Sequence, residues 1–279
     1  MVKATAIQAF RYEQHPYIIY VKRPHIYGNA PYGKYATNNY GFVGTHETAL
    51  EKHEGVTRVI CIGGSTTEMS YSYDPNNTYP GWVQKYLGPK YEVINAGCAG
   101  WTTVEMLINF ELRLLDFKPD IIVLYAGFND IRRCGLVNGF KSDYSHARFN
   151  KGFDRATHGR SVLSYVSPKN PDLVEIAPEE AIQTFRRNVK TIIGVAKEHG
   201  IIPIIVKFNL KPRNEYEIGI NDGVVKCMEA IKDLITVEVE DMDESDFVDG
   251  CHLNTSGMEK MGWAVANGVV NANPLHKSV

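Results

Sequence analysis

The chain has 279 residues, 44% of them apolar and 22% charged, with a formal net charge of −2. That is an ordinary globular composition, long enough to bury a core without disulfide staples. The near-neutral charge, with no block of five or more basic residues, gives no footing for nucleic acid or an anionic membrane as a partner.

Residues 1–55 are rich in Tyr, Asn, Gly and His and show little helical periodicity, so short strands and loops packed on the main domain are expected there. A βα alternation begins at residue 56, and 56–279 is read as one domain. The run 56–62 (VTRVICI) is β-branched and ends in Gly63-Gly64, which suits a buried strand entering a turn. A helix is expected over 78–87, a second strand over 91–95 and a longer helix over 102–117. The third strand, 120–125 (DIIVLY), is the most strand-like run in the chain. Residues 131–178 break the rhythm with Gly, Ser, Asn, Pro and Tyr and read as an insertion. An amphipathic helix over 179–199 stops at Gly200. The fourth strand, 201–206, contains Pro203, which removes a ladder donor and points to a sheet edge or bulge. A helix over 222–234, a fifth strand over 236–239 and a last helix over 256–270 complete the series. Strands alternating with helices imply a parallel sheet covered on both faces, a three-layer α/β/α arrangement.

In such open sheets ligand chemistry collects beyond the carboxyl ends of the strands. There the chain carries Gly63-Gly64-Ser65-Thr66-Thr67, Asn95-Ala96-Gly97, Gly127-Phe128-Asn129-Asp130 and, near its end, Asp249-Gly250-Cys251-His252. Ser65, lifted on a tight glycine turn, has the setting of a nucleophile, although the motif equally suits a helix cap. Asp249 stands three residues before His252, a spacing at which a carboxylate accepts from Nδ1–H and leaves Nε2 to take a serine proton. The backbone amides of Ser65 and Gly97 and the side-chain amide of Asn129 are candidate oxyanion donors, each with a plain turn or cap as the competing explanation. Five cysteines, at 61, 98, 134, 227 and 251, have no zinc-site spacing, and no HxxxH is present, so neither a metal nor another cofactor is expected.

These four blocks resemble the SGNH (GDSL-like) hydrolases: IGGST at 62–66, NAGCAGW at 95–101, GFND at 127–130 and DGCH at 249–252, in that order. The resemblance spans about 56–270. It implies a flavodoxin-like fold with a five-stranded parallel sheet and an esterase, lipase, thioesterase or deacetylase activity. It also implies Ser65 as nucleophile, Asp249 and His252 as orienter and base, and Ser65, Gly97 and Asn129 as oxyanion hole. The first block departs from the commoner Gly-Asp-Ser-Leu, with Gly64 in place of Asp and Thr66 in place of Leu, which loosens any inference about substrate.

For the substrate, Trp101 follows the second block and is weighed as an aromatic face for a sugar ring against a plain core-edge aromatic. Arg132 and Arg133 are candidates to meet an anionic group. The stretch TNNYGFVG at 37–44 resembles the lead-in of family members linked to polysaccharide O-acyl groups. Hydrolysis of short acyl esters, O-acetyl groups on a carbohydrate foremost, is therefore expected. The alternatives are acyl transfer to a sugar hydroxyl, a flavodoxin-like phosphate or flavin binder at the Ser65-Thr66-Thr67 turn, and a non-catalytic binding module. No run approaches the ~18 apolar residues of a membrane span. Residues 1–20 lack the basic start and apolar stretch of a signal peptide, and unpaired thiols suit a reducing compartment, so a cytoplasmic location is expected.

Overall fold

The computed structural model describes residues 11–18, 20–30, 33–69, 74–134, 140–143 and 178–273. The chain opens with two antiparallel hairpins, β1 (Tyr12–Gln14) with β2 (Tyr20–Lys22) and β3 (Tyr27–Ala30) with β4 (Gly33–Ala36). The central sheet follows, with β5 (Thr57–Gly63), β6 (Tyr91–Asn95), β7 (Ile121–Tyr125) and β8 (Ile202–Ile205), all parallel, in the order β6-β5-β7-β8. The two inner strands, β5 and β7, are almost wholly buried, whereas the outer two carry half-exposed positions. Continuous apolar runs belong inside a sheet covered on both faces, and this pattern follows that rule.

The helices are α1 (Ser65–Glu68), α2 (Tyr79–Leu87), α3 (Thr103–Asn109), α4 (Phe128–Cys134), α5 (Glu179–Glu198), α6 (Glu215–Ala230) and α7 (Thr255–Ala272). α2 lies along α7 as one outer layer; α3, α5 and α6 pack together as the other. The result is the three-layer α/β/α fold. Of the 131–178 insertion, residues 135–139 and 144–177 lie outside the described residues.

Three elements differ from expectation. The fifth strand is reduced to a single parallel bridge, Val206 to Val237. On β8 the amides of Ile202 and Val206 face β7, so the amides that would face a fifth strand belong to the odd-numbered residues. Pro203 has no N–H to give, and the Ile205 amide is taken by the Thr236 hydroxyl at 2.9 Å, which leaves Lys207 to donate to Val237 O. Pairing therefore stops after one rung, and the sheet has four strands. The expected 102–117 helix is continuous in direction but changes type, from α3 to a π turn over Phe110–Leu114 and a 3₁₀ turn over Leu115–Phe117. Finally, α6 starts at Glu215, seven residues before 222, because the Asn214 side chain accepts from the Glu217 amide and caps it there. Among the described residues no helix is long and apolar enough to cross a membrane, and Cys61, Cys98, Cys227 and Cys251 are buried and in no disulfide.

Candidate active site

Strand β5 delivers the chain into Gly63 and Gly64, and α1 begins at once with Ser65. Both glycines are needed for close approach. A Cβ on Gly63 would lie 2.0 Å from Thr67 Oγ1 and 2.8 Å from Tyr125 O, and one on Gly64 would lie 2.7 Å from Asn129 Nδ2. Gly64 caps α1 with its backbone, so the Ser65 hydroxyl is not used as a cap. It reaches His252 instead: Ser65 Oγ is 2.8 Å from His252 Nε2, across 187 positions of sequence.

On the far side of the ring, His252 Nδ1 lies 2.8 Å from Asp249 Oδ2. Asp249 Oδ1 accepts from the amides of Cys251 (2.9 Å) and His252 (2.8 Å), a side-chain-closed turn that fixes the carboxylate before the ring is placed. The turn is pinched by Val248 N–H to His252 O and by the Phe247–Leu253 bridge, and Arg213 donates to Val248 O and Phe247 O. Burial alone would raise the Asp249 carboxyl. The hydrogen bond and charge of His252, with the two amides, outweigh burial and hold it well below the usual carboxylate range. Ser65, His252 and Asp249 thus form a continuous hydroxyl–imidazole–carboxylate chain.

Asn129, second in α4, turns its amide towards Gly64 and donates to Trp101 O at 2.9 Å. With Ser65, Thr66, Met106, Tyr125, Phe128 and Phe208 it surrounds a crevice of about 10 Å³ beside the hydroxyl. The aromatic wall is fixed by stacking, Tyr125 on Phe208 at 4.3 Å and Phe208 near Phe128 at 6.2 Å.

Two sequence expectations change here. Gly97 does not aim its amide at the site: that N–H donates to Asn95 Oδ1 at 3.0 Å, and the Gly97 carbonyl accepts from Lys22 Nζ. Its glycine character has another cause, since a Cβ there would fall 2.6 Å from the Glu68 amide and 2.7 Å from Thr67 Cβ. Gly97 lets the loop lie flat on α1. Trp101 lines the crevice but is only 2% exposed, with its indole N–H donating to Tyr20 O, so it sits as a core-edge aromatic with little face to offer a sugar. Arg132 is half-buried with its guanidinium 5.9 Å from the Phe128 ring. The Arg133 side chain lies outside the described residues.

Sequence reasoning also missed residues that hold the site. Asp130 is buried and accepts from the Thr103 amide and hydroxyl, tying α4 to the start of α3. Glu68, fully buried at the end of α1, accepts from Tyr12 Oη at 2.8 Å and from the Ala99 amide. Tyr20 Oη donates to Ala99 O. Strands β1 and β2 thus reach under the 96–101 loop. Nothing in the 12–22 segment or around Glu68 names the other as its neighbour, so the sequence carried no signal for these contacts.

The match to the GDSL-like Lipase/Acylhydrolase family model runs over residues 61–260, from the middle of β5 into α7 and across all four blocks. The chain belongs to this family. It is an ester hydrolase with the SGNH fold. Among solved structures it is similar to a GDSL-like lipase from Bacteroides thetaiotaomicron, at 16% identity over 81% of this chain and 93% of that one, with a TM-score of 0.50. A lipase/acylhydrolase from Enterococcus faecalis aligns at 17% identity over 77% and 95%, TM-score 0.49. An acetyl xylan esterase from Geobacillus stearothermophilus aligns at 15% over 76% and 94%, TM-score 0.48. No curated protein matches. At 16% identity and a TM-score of 0.50, the likeness to the Bacteroides protein speaks for the fold alone.

Proposed function

We propose that this ester hydrolase cleaves short acyl esters, O-acetyl groups on a carbohydrate, through an acyl-enzyme on Ser65. The observation that carries it is the 2.8 Å contact between Ser65 Oγ and His252 Nε2, with Asp249 behind the ring. In this reading His252 Nε2 takes the hydroxyl proton as Ser65 Oγ attacks the ester carbonyl. Asp249 keeps the ring proton on Nδ1 and stabilises the imidazolium. The tetrahedral oxyanion is met by the Ser65 amide and by Asn129 Nδ2. From the loop, Gly100 replaces Gly97 as the candidate donor: its φ of +79° turns the chain just before the Trp101 carbonyl that Asn129 holds. Collapse expels the alcohol with the proton from His252, and water then repeats the sequence to release the acid.

The small crevice supports a short acyl group, because about 10 Å³ is room for one water-sized body and hence for a methyl. The carbohydrate alcohol rests on the resemblance of the 37–44 stretch to the lead-in of family members linked to polysaccharide O-acyl groups. The test is an acyl-length series of p-nitrophenyl esters together with a fluorophosphonate label mapped by mass spectrometry. Turnover is expected to be highest on acetate and lost in Ser65→Ala, with the label on Ser65. Labelling elsewhere, or undiminished turnover in Ser65→Ala, would refute the assignment. Adding a sugar acceptor and analysing products separates hydrolysis from acyl transfer.

A further inference from the structure

Cys251 takes no part in this scheme, yet its thiol lies against the catalytic ring. Cys251 Sγ is 3.4 Å from His252 Nδ1, Asp249 Oδ2 is 2.8 Å from the same nitrogen, and one ligand atom from each of the three residues lies within 4.8 Å of the others. A thiol, an imidazole and a carboxylate are the ligands zinc takes in tetrahedral sites. Ordinary zinc bond lengths give tetrahedral edges of about 3.6 Å from sulfur to nitrogen and about 3.4 Å from nitrogen to oxygen. The sulfur edge is already close to that length. The oxygen edge must open by about half an ångström, and Asp249 is the member free to yield, with its side chain 47% exposed against 16% for His252. Its exposed side also admits the metal and a water as fourth ligand. Of the flanking charges, Arg132 opposes a cation and Glu217 favours one, so they offset each other around the thiol.

We propose that Asp249, Cys251 and His252 form an inhibitory site for a soft divalent cation of the zinc type, which binds His252 Nδ1 and so abolishes Nε2 as a base. When the metal bonds Nδ1, the proton held there moves to Nε2 and the ring stays neutral. The thiol proton leaves to solvent as the sulfur–metal bond forms, and Asp249 Oδ2 exchanges its hydrogen bond for a metal bond. Nε2 then carries a hydrogen towards Ser65 Oγ and cannot accept one. The block is a tautomer lock, reversed when a chelator removes the metal.

That binding inhibits rests on the proposed role of His252; binding itself does not, and the two are read separately. Co²⁺ added to the metal-free protein is expected to give a thiolate-to-cobalt charge-transfer absorption at one equivalent, absent in Cys251→Ser and Cys251→Ala. Zn²⁺ is expected to suppress p-nitrophenyl acetate turnover and fluorophosphonate labelling, with full recovery in chelator. Measured against each variant's own metal-free turnover, both Cys251 variants should need about ten-fold more Zn²⁺ or higher for half-inhibition. Absence of the cobalt band in the wild-type protein would overturn the site. Equal zinc sensitivity in wild type and variants, or a band without inhibition, would overturn the tautomer lock. A protein that binds cobalt through Cys251 but turns over no ester would instead sink the catalytic reading and leave the metal site standing.

Discussion

The two sides of the candidate site are held by different kinds of structure. His252 is placed by its own turn: Asp249 lies three residues away, and the bonds that hold the turn run within residues 247–253 and to Lys211 and Arg213 beside it. Ser65 and the 96–101 loop are placed from far away. Tyr12, Tyr20 and Lys22, all outside the family-matched 61–260, bond to Glu68, Ala99 and Gly97 across 56 to 79 positions of sequence. The His252 side is local and partly wet; the Ser65 side is non-local and dry. Damage to the first should therefore fall on chemistry with little loss of fold, and damage to the second should reach chemistry through the packing.

The largest effect that comparison predicts is on the local side. His252→Ala removes the proposed base and is expected to lower kcat on the order of 10⁴-fold or more, with an unfolding midpoint close to wild type. Asp249→Asn should come next, approaching about 10⁴-fold. An amide keeps an oxygen for the Cys251 and His252 amides but turns an N–H towards Nδ1, which forces the ring proton onto Nε2. Unfolding far below the wild-type midpoint in either variant would contradict the local description.

A pH profile sharpens the same point. The Asp249 carboxyl is held well below its ordinary value by His252 and two amides, against its burial. A group lowered in the folded state contributes stability in full above its unfolded pKa, about 3.9, and loses it as pH falls through the folded value. The stability difference between wild type and Asp249→Asn should thus shrink progressively as pH falls below about 5 and on through the folded value. Asp249 also stays ionised wherever the enzyme turns over, so an acid limb of kcat/KM centred near about pH 4 is not expected from this carboxylate.

The same division explains what was legible in the sequence. Strands β5, β6 and β7 could be read within a residue because their apolar runs are local and bounded by Gly, Asn and Pro. The Asp249–His252 pair could be read because its geometry is a three-residue turn. Gly97 was misjudged because the reason for its missing side chain is a contact with Glu68 and Thr67, about thirty positions away. Trp101 was open to both readings until Tyr20 claimed its indole N–H. The early start of α6 was hidden by Gly219, a weak helix former that packing overrides. The lost fifth strand depends on which way the Pro203 nitrogen faces, which composition does not reveal.

On the non-local side, Glu68→Leu should be costly to the fold. It leaves the Ala99 amide and the Tyr12 hydroxyl buried without their acceptor, at about 3 kcal/mol in chemical denaturation. Turnover should fall with it, because α1 and the 96–101 loop share that carboxylate. Glu68→Gln keeps an acceptor and should restore much of the stability. If Glu68→Leu proved as stable as wild type, the carboxylate would not be what joins α1 to the loop.

Lys22→Met is the subtlest and most discriminating change. Burial lowers the pKa of this ammonium while Glu68 opposes that shift, so the native state already carries the cost of a desolvated cation. Methionine keeps most of the stem's volume and removes that cost together with the bond to Gly97 O. The two offset, and stability should move by only about 1 kcal/mol in either direction. The loop loses one of its anchors all the same. Since the loop's proposed contact is with an oxyanion that exists only at the tetrahedral stage, kcat should fall about three- to ten-fold while KM for p-nitrophenyl acetate stays near wild type. A rise in KM with kcat intact would mean that Lys22 shapes substrate entry and not the loop. An unchanged kcat would mean that Tyr20 and Glu68 suffice to hold Ala99, and with it the turn at Gly100, in place.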